Sequence, residues 1–203
     1  MRSGGYMQTA QLNKQWRVNG IEVPVFGEEE ILYAVIEPEL WPEWNVELSP
    51  HTHELEIVNL FNATPFSVIK NGPVVINITS AQVLLNICIK KMSTTHCGAL
   101  FHTASTTSCS QLMYSLRNAL VVKKGVGDLF LRYYDPRGLL PLVASLSDEE
   151  RRDYFSPINK ITWFNKRWLS VSVLAPISAP FSDYQWNMTE LHLASMTSIS
   201  TQW

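Results

Sequence analysis

The sequence predicts a mixed α+β protein of the wider α/β type, with a mixed sheet flanked by helices and a smaller C-terminal part of helix and hairpin. Two observations predict this class: short β-branched runs alternate with amphipathic repeats, and helix-capping signals separate them. The chain has 203 residues, of which 46% are hydrophobic and 17% are charged. That composition excludes a disordered, collagen-like or coiled-coil protein.

The first half of the chain contains three predicted strands. Residues 31–36 form an apolar run, residues 54–61 alternate in part, and residues 74–78 are rich in β-branched side chains after a turn at 71–73. Between the first two, residues 40–46 predict a short helix or turn. These strands are the expected start of the sheet.

Helices and strands alternate in the middle of the chain. A helix is predicted from Ser80, as its cap, to Met92, followed by a strand at 98–103. A second helix is predicted over 108–120, where leucines recur every four residues.

A hairpin is predicted next, with strands at 120–123 and 129–134. Asp135 and Pro136 then suit the cap and first position of a helix that ends near residue 146. Residues 147–150 form a capping box for the helix that follows.

The last part of the chain is predicted to hold a second hairpin and a final helix. Its strands are expected at 161–164 and 168–175, and the helix is expected to be capped from Ser182. We divide the chain into a variable lead-in at 1–27, a main domain at 28–175 and a C-terminal helix and tail at 176–203.

Charge is distributed unevenly along the chain. Residues 1–60 carry ten acidic and three basic residues, a net charge of −7, whereas residues 61–203 carry thirteen basic and eight acidic residues, a net charge of +5. Such opposed halves indicate either internal ion pairing or two surfaces that meet different partners. Seven tryptophans add a second indication of an interface.

The sequence offers no catalytic signature and no cofactor or metal site. The three cysteines and nearby histidines lack zinc-ligand spacing, and no nucleophile elbow or phosphate loop is present. We therefore expect a non-enzyme. The odd number of cysteines favours reduced thiols, and we expect a cytoplasmic protein without a secretory leader or membrane span.

One polar cluster is denser than the rest. It comprises five residues, Arg117, Arg132, Asp135, Pro136 and Arg137. We assign them to a structural role, in which Asp135 pairs with an arginine at the corner between strand and helix. The alternative is an anion site formed by the three arginines.

The order of these motifs resembles the type VI secretion effector-adaptor family, the Tap/Tec chaperones of Gram-negative bacteria. The resemblance runs from residue 31 to about residue 168 and is carried by the segments 32–36, 72–78, 98–101, 115–120, 130–137, 142–151 and 155–158. Its most specific part is the Phe-Leu-Arg-Tyr-Tyr-Asp-Pro-Arg run at 130–137. The chain departs from the family pattern at Glu37, Ser115 and Gly138, where the family often has Asp, His and a larger apolar residue.

The resemblance implies a cytoplasmic adaptor that binds a cognate toxic effector and helps to load it onto the VgrG spike. Nucleic acid and membrane are not expected partners, and the oligomeric state stays open. The candidate partner-binding residues are the aromatic set Trp163, Phe164 and Trp168, with Trp41 and Trp44 as a second set. The alternatives are a nucleic-acid-binding protein that uses the basic half, and an enzyme that binds a phosphorylated small molecule at the three arginines.

Overall fold

The computed structural model describes residues 10–13, 15–25, 27, 29–51, 56–79, 81–173 and 184–203. The strands in these residues are β1 (Ala10–Asn13), β2 (Val18–Ile21), β3 (Glu30–Ile36), β4 (Ile57–Asn59), β5 (Val74–Asn77), β6 (Gly98–Ala104), β7 (Val121–Lys124), β8 (Gly127–Phe130), β9 (Ile158–Asn165) and β10 (Arg167–Ser172). The helices are α1 (Trp44–Leu48), α2 (Gln82–Thr95), α3 (Cys109–Asn118), α4 (Pro136–Ser145), α5 (Asp148–Phe155) and α6 (Glu190–Gln202). The predicted α+β class is confirmed.

Eight strands form the main sheet in the order β1-β2-β10-β9-β6-β3-β5-β4. Every strand pair in this sheet is antiparallel, so the expectation of a mixed sheet is corrected. A mixed sheet would need two parallel strands side by side, and the strands joined by α2 are not neighbours. Strands β5 and β6 run in the same direction but lie on opposite sides of β3, which separates them and pairs antiparallel with both.

The C-terminal hairpin is not a separate part of the molecule. Strands β9 and β10 lie inside the main sheet, between β6 and β2. The residues predicted as a lead-in supply β1 and β2 at one edge of that sheet. The separate two-stranded sheet is instead the β7–β8 hairpin, and α6 packs against α4.

Alternation along the strands divides the core between the two faces of the sheet. On β3, Tyr33 and Val35 face one core, which is completed by apolar side chains of α3, α4, α5 and α6. Leu32, Ala34 and Ile36 face the other core, which is completed by α1 and α2. The sheet is therefore covered on both faces.

The capping predictions for α4 and α5 are confirmed, and α3 has a capping box as well. Ser108 and Ser147 form capping boxes at α3 and α5, and Asp135 caps α4 with Pro136 at its first position. Helix α2 runs past the predicted end at Met92, because the chain leaves the helix only at His96, which adopts a left-handed conformation. The predicted caps Ser80 and Ser182 lie outside the described residues, and α6 is capped by Thr189.

Candidate partner-binding surfaces

Three of the five predicted partner-binding aromatics are buried. Trp41 and Trp163 have no exposed surface, and Trp168 is 6% exposed. Trp163 belongs to the core under α3–α6, whereas Trp41 and Trp168 belong to the core on the other face. The expectation that these three rings form a partner surface is therefore corrected, because strand alternation and helix packing turn them inward.

The other two aromatics, Phe164 and Trp44, are half-buried. Phe164 packs against Trp168 with ring centroids 5.5 Å apart and against His96 at 5.7 Å. Trp44 packs at the margin of the core that α1 and α2 complete. These two rings stay candidates for a partner surface, but much of each already packs within the protein.

The structure brings Arg132, Asp135 and Arg137 together with a residue that the sequence did not link to them. Arg132 donates a hydrogen bond to the carboxylate of Glu37, which is nearly buried at the end of β3. Arg137 makes a bidentate pair with Asp135, with Nε–Oδ1 and Nη2–Oδ2 distances of 2.8 and 2.6 Å. Burial raises the pKa of Asp135, but hydrogen bonds from Arg137 outweigh it and hold that pKa below its usual value.

Arg117 has a different set of partners. Its guanidinium donates to the backbone carbonyls of Leu60 and Asn59, at 3.3 and 3.4 Å, and so ties α3 to the chain that leaves β4. Glu37 and Asp135 already compensate the charges of the other two arginines. The contacts favour the structural role for this cluster over a shared anion site.

A second polar cluster lies on three neighbouring strands of the main sheet, β3, β6 and β9. His102 Nδ1 lies 3.0 Å from Glu30 Oε2, and Lys160 Nζ lies 3.0 Å from the same oxygen. Thr162 Oγ1 lies 3.3 Å from His102 Nε2. The donors and acceptors fit a neutral imidazole, whose Nδ1–H donates to Glu30 and whose Nε2 accepts from Thr162.

The environment of this cluster explains its protonation. Burial lowers the pKa of His102 despite the raising effect of Glu30, and the hydrogen bond from His102 is the main reason that the pKa of Glu30 falls to about 2. His102 and Thr162 are closed to solvent, so a substrate could not reach either of them in this structure. The cluster resembles a catalytic triad in residue types only.

The cysteines offer no activated thiol. Burial raises the pKa of Cys88 and Cys97, and burial together with Glu56 raises the pKa of Cys109 to about 11. Within the described part of the chain, no three histidine, cysteine or acidic side chains lie close enough to hold a metal ion.

Three phenylalanines form an aromatic cluster that reaches the surface at Phe130. Phe66 and Phe130 have ring centroids 4.4 Å apart, and Phe61 lies 5.7 and 5.9 Å from them. Gly72 permits this packing, since a Cβ there would lie 2.3 Å from the Phe61 ring. The ring cluster joins the loop after β4 to the β7–β8 hairpin.

A cleft of about 330 Å³ opens beside this cluster, and we call it the aromatic cleft. Its walls include Phe66, Tyr114, Arg117 and Val121. Exposed apolar side chains lie on the loop after β4, on α3 and on the β7–β8 hairpin: Val68, Ile69, Tyr114, Val126, Leu129 and Phe130. Apolar side chains exposed beside a cleft are typical of a protein-interaction site.

Sequence reasoning missed this surface. Phe66 lies in a loop without periodicity, and its contact with Phe130 joins positions far apart in the chain. The available signal was local: three apolar residues, Val126, Leu129 and Phe130, lie within five positions on a short hairpin in which Asp128 is the only acidic residue.

Comparison with known proteins identifies the family. A family model described as "Domain of unknown function (DUF4123)" matches residues 32–153, more than half of the chain. The chain belongs to the DUF4123 family. No match was found among curated proteins or among solved structures.

The DUF4123 segment begins in β3 and ends in α5, so it contains the Glu37–Arg132–Asp135 network and most of the aromatic cleft. Phe164 and Trp168 lie beyond it. In the part of the chain that the structure describes, no helix combines the length and apolar character that a membrane span requires.

Proposed function

We propose that this DUF4123 protein is a cytoplasmic adaptor that binds a type VI secretion effector and helps to load it onto the VgrG spike. The main support for the proposal is that two findings agree on the same segment of the chain. The family model covers residues 32–153, and the ordered motifs that resemble the Tap/Tec adaptors fall largely within the same range.

The chemistry of the molecule supports a binding role. His102, which has a carboxylate and a hydroxyl partner, is closed to solvent, the thiols have raised pKa values, and Arg132 and Arg137 of the family motif are paired. The open feature is the aromatic cleft, whose walls combine aromatic, apolar and polar side chains. Such a surface fits recognition of another protein better than catalysis, and we infer a non-enzyme.

The aromatic cleft is the surface that we assign to the effector. Aromatic residues and arginine are enriched at protein interfaces, and Phe66, Tyr114 and Arg117 supply them in the cleft walls. Phe164 and Trp44 stay available as peripheral contacts.

Co-expression with the product of the adjacent effector gene tests the proposal. A tag on the effector should retain the wild-type protein, and a Phe130→Ser variant should be retained at least tenfold less. Val83→Ser is the matched control, because Val83 is also an exposed apolar residue but lies on α2, which packs on the other face of the sheet. Failure of the tagged effector to retain the wild-type protein would refute the adaptor role.

A further inference from the structure

The β7–β8 hairpin already pairs with another segment of the chain along one edge, at Lys123. Lys123 N–H donates to the carbonyl of Trp186 at 2.9 Å, and Met188 N–H donates to the carbonyl of Lys123 at 2.7 Å. Residues 186–188 therefore run parallel to β7 and cover its outer edge. The remaining edge of this small sheet is β8.

The register shows which groups β8 presents at that edge. Leu131 N–H donates to Leu120 at 2.8 Å, and Val122 is paired with Leu129, so the backbone of Leu129 faces β7. Backbone direction alternates along an antiparallel strand, so the N–H and C=O groups of Asp128 and Phe130 point away from the hairpin. Among the described residues, none makes a backbone hydrogen bond with these four groups.

The β8 edge is short and carries one charge, but it contains no proline and no bulge. Edge strands are commonly blocked by charged side chains, proline or a bulge. Here the one charge on β8, Asp128, is paired with Lys123, and Leu129 and Phe130 are both exposed. Phe130 also packs on Phe66, which forms part of the wall of the aromatic cleft, so the β8 edge lies next to that cleft.

We propose that an extended segment of the effector pairs with β8 as an added strand and places an apolar side chain in the aromatic cleft. The backbone groups of Asp128 and Phe130 would bind the segment's main chain, and Phe66 and Phe130 would select its side chain. The proposal rests on the adaptor function proposed above and assigns the place and mode of effector binding.

The dimensions of the edge favour an effector segment over a second copy of the chain. Four residues of β8 span only about 13 Å, so two such edges would bury far less than the ~1,000 Å² of a stable interface. A segment that continues from β8 through the cleft would bury additional surface on Phe66, Tyr114 and Val121.

Paired substitutions at Asp128 separate backbone recognition from side-chain recognition. Asp128→Pro removes the outward N–H and breaks no hydrogen bond to β7, whereas Asp128→Ala removes the same carboxylate but keeps that N–H. Binding of the adjacent gene's effector, measured by calorimetry, should weaken at least tenfold for Asp128→Pro and less than threefold for Asp128→Ala. Equal affinity of the two variants would overturn the proposal.

Amide hydrogen exchange on the wild-type protein provides a second test that needs no variant. Exchange at Asp128 and Phe130 should slow at least tenfold when the effector binds, with little change at Leu129, whose backbone already faces β7. Unchanged exchange in a complex that does form would contradict strand addition but leave the adaptor function intact. Protection of these amides in the free protein, together with a dimeric mass, would show that a second copy of the chain, and not the effector, pairs with β8. Absence of any complex with wild-type protein would refute both proposals.

Discussion

The pair formed by Arg132 and Glu37 explains why the Arg-Tyr-Tyr-Asp-Pro-Arg run matters to this fold. Glu37 directly follows β3, and Arg132 precedes α4. One ion pair therefore links the end of a sheet strand to the start of a helix that covers the sheet. The role of Asp135 as a cap could be predicted from sequence, because a cap is a local interaction. The partner Glu37 could not, since it lies 95 residues away.

Replacing Arg132 by Ala should destabilise the protein by about 1–2 kcal/mol, because the nearly buried Glu37 carboxylate would lose its counter-charge. The cost stays below the ~3–5 kcal/mol of a fully buried pair because Arg132 is partly exposed. Urea unfolding measures the change, and Arg137→Ala, at a more exposed arginine, should cost less. An Arg132→Ala variant with wild-type stability would return Arg132 to the list of candidate anion ligands.

His102 should make folding stability depend on pH below about 6.5. Its folded pKa lies below that of the unfolded chain, chiefly through burial, so its stabilising contribution is present above the unfolded pKa and is lost as pH falls. The pKa of Glu30 lies near 2, so its carboxylate stays ionised between pH 7 and 5 and the histidine dominates this cluster's response. The slope should reach at most about 1.4 kcal/mol per pH unit.

A His102→Gln variant provides the comparison for this pH dependence. Its unfolding free energy, measured between pH 7 and 5, should vary less than that of the wild-type protein. Parallel pH profiles for the two proteins would show that His102 does not titrate on unfolding in this range.

Secondary-structure elements could be predicted from local sequence signals, whereas contacts between distant elements could not. Capping residues and hydrophobic spacing predicted α3, α4 and α5, because these signals act within one or two helical turns. Neither the antiparallel pairing nor the burial of Trp41 and Trp163 followed from sequence, since both depend on which strand lies beside which.

Substituting alanine at two glycines should change the stability of the protein in opposite directions. Gly138 lies in α4 with open space where a Cβ would be added, so Gly138→Ala should stabilise the protein by about 0.5–1 kcal/mol through its higher helix propensity. Gly98 begins β6 beside β3, and a Cβ there would lie 2.0 Å from the Val35 carbonyl oxygen. Gly98→Ala should therefore lower the melting temperature, while Gly138→Ala should raise it. Calorimetric scans measure both changes, and the same sign for the two variants would contradict the packing described here.

For the whole molecule, the opposed charges of the two halves are partly explained by internal pairing. Glu30, Glu37 and Glu47 of the acidic part pair with Lys160, Arg132 and Lys91 of the basic part. Glu39 and Glu43 stay exposed near Trp44 and Val46, and leave an acidic surface around α1. The composition predicted the two possibilities, and the structure shows that pairing accounts for a share of the charge.

The mass of the assembly in solution tests most directly the proposed role, in which the protein carries an effector to the spike. Light scattering should show a complex whose mass is the sum of this chain and the adjacent effector, and a larger complex when the cognate VgrG is added. Separate elution of this chain from the effector, or binding of the effector to VgrG without it, would contradict the account.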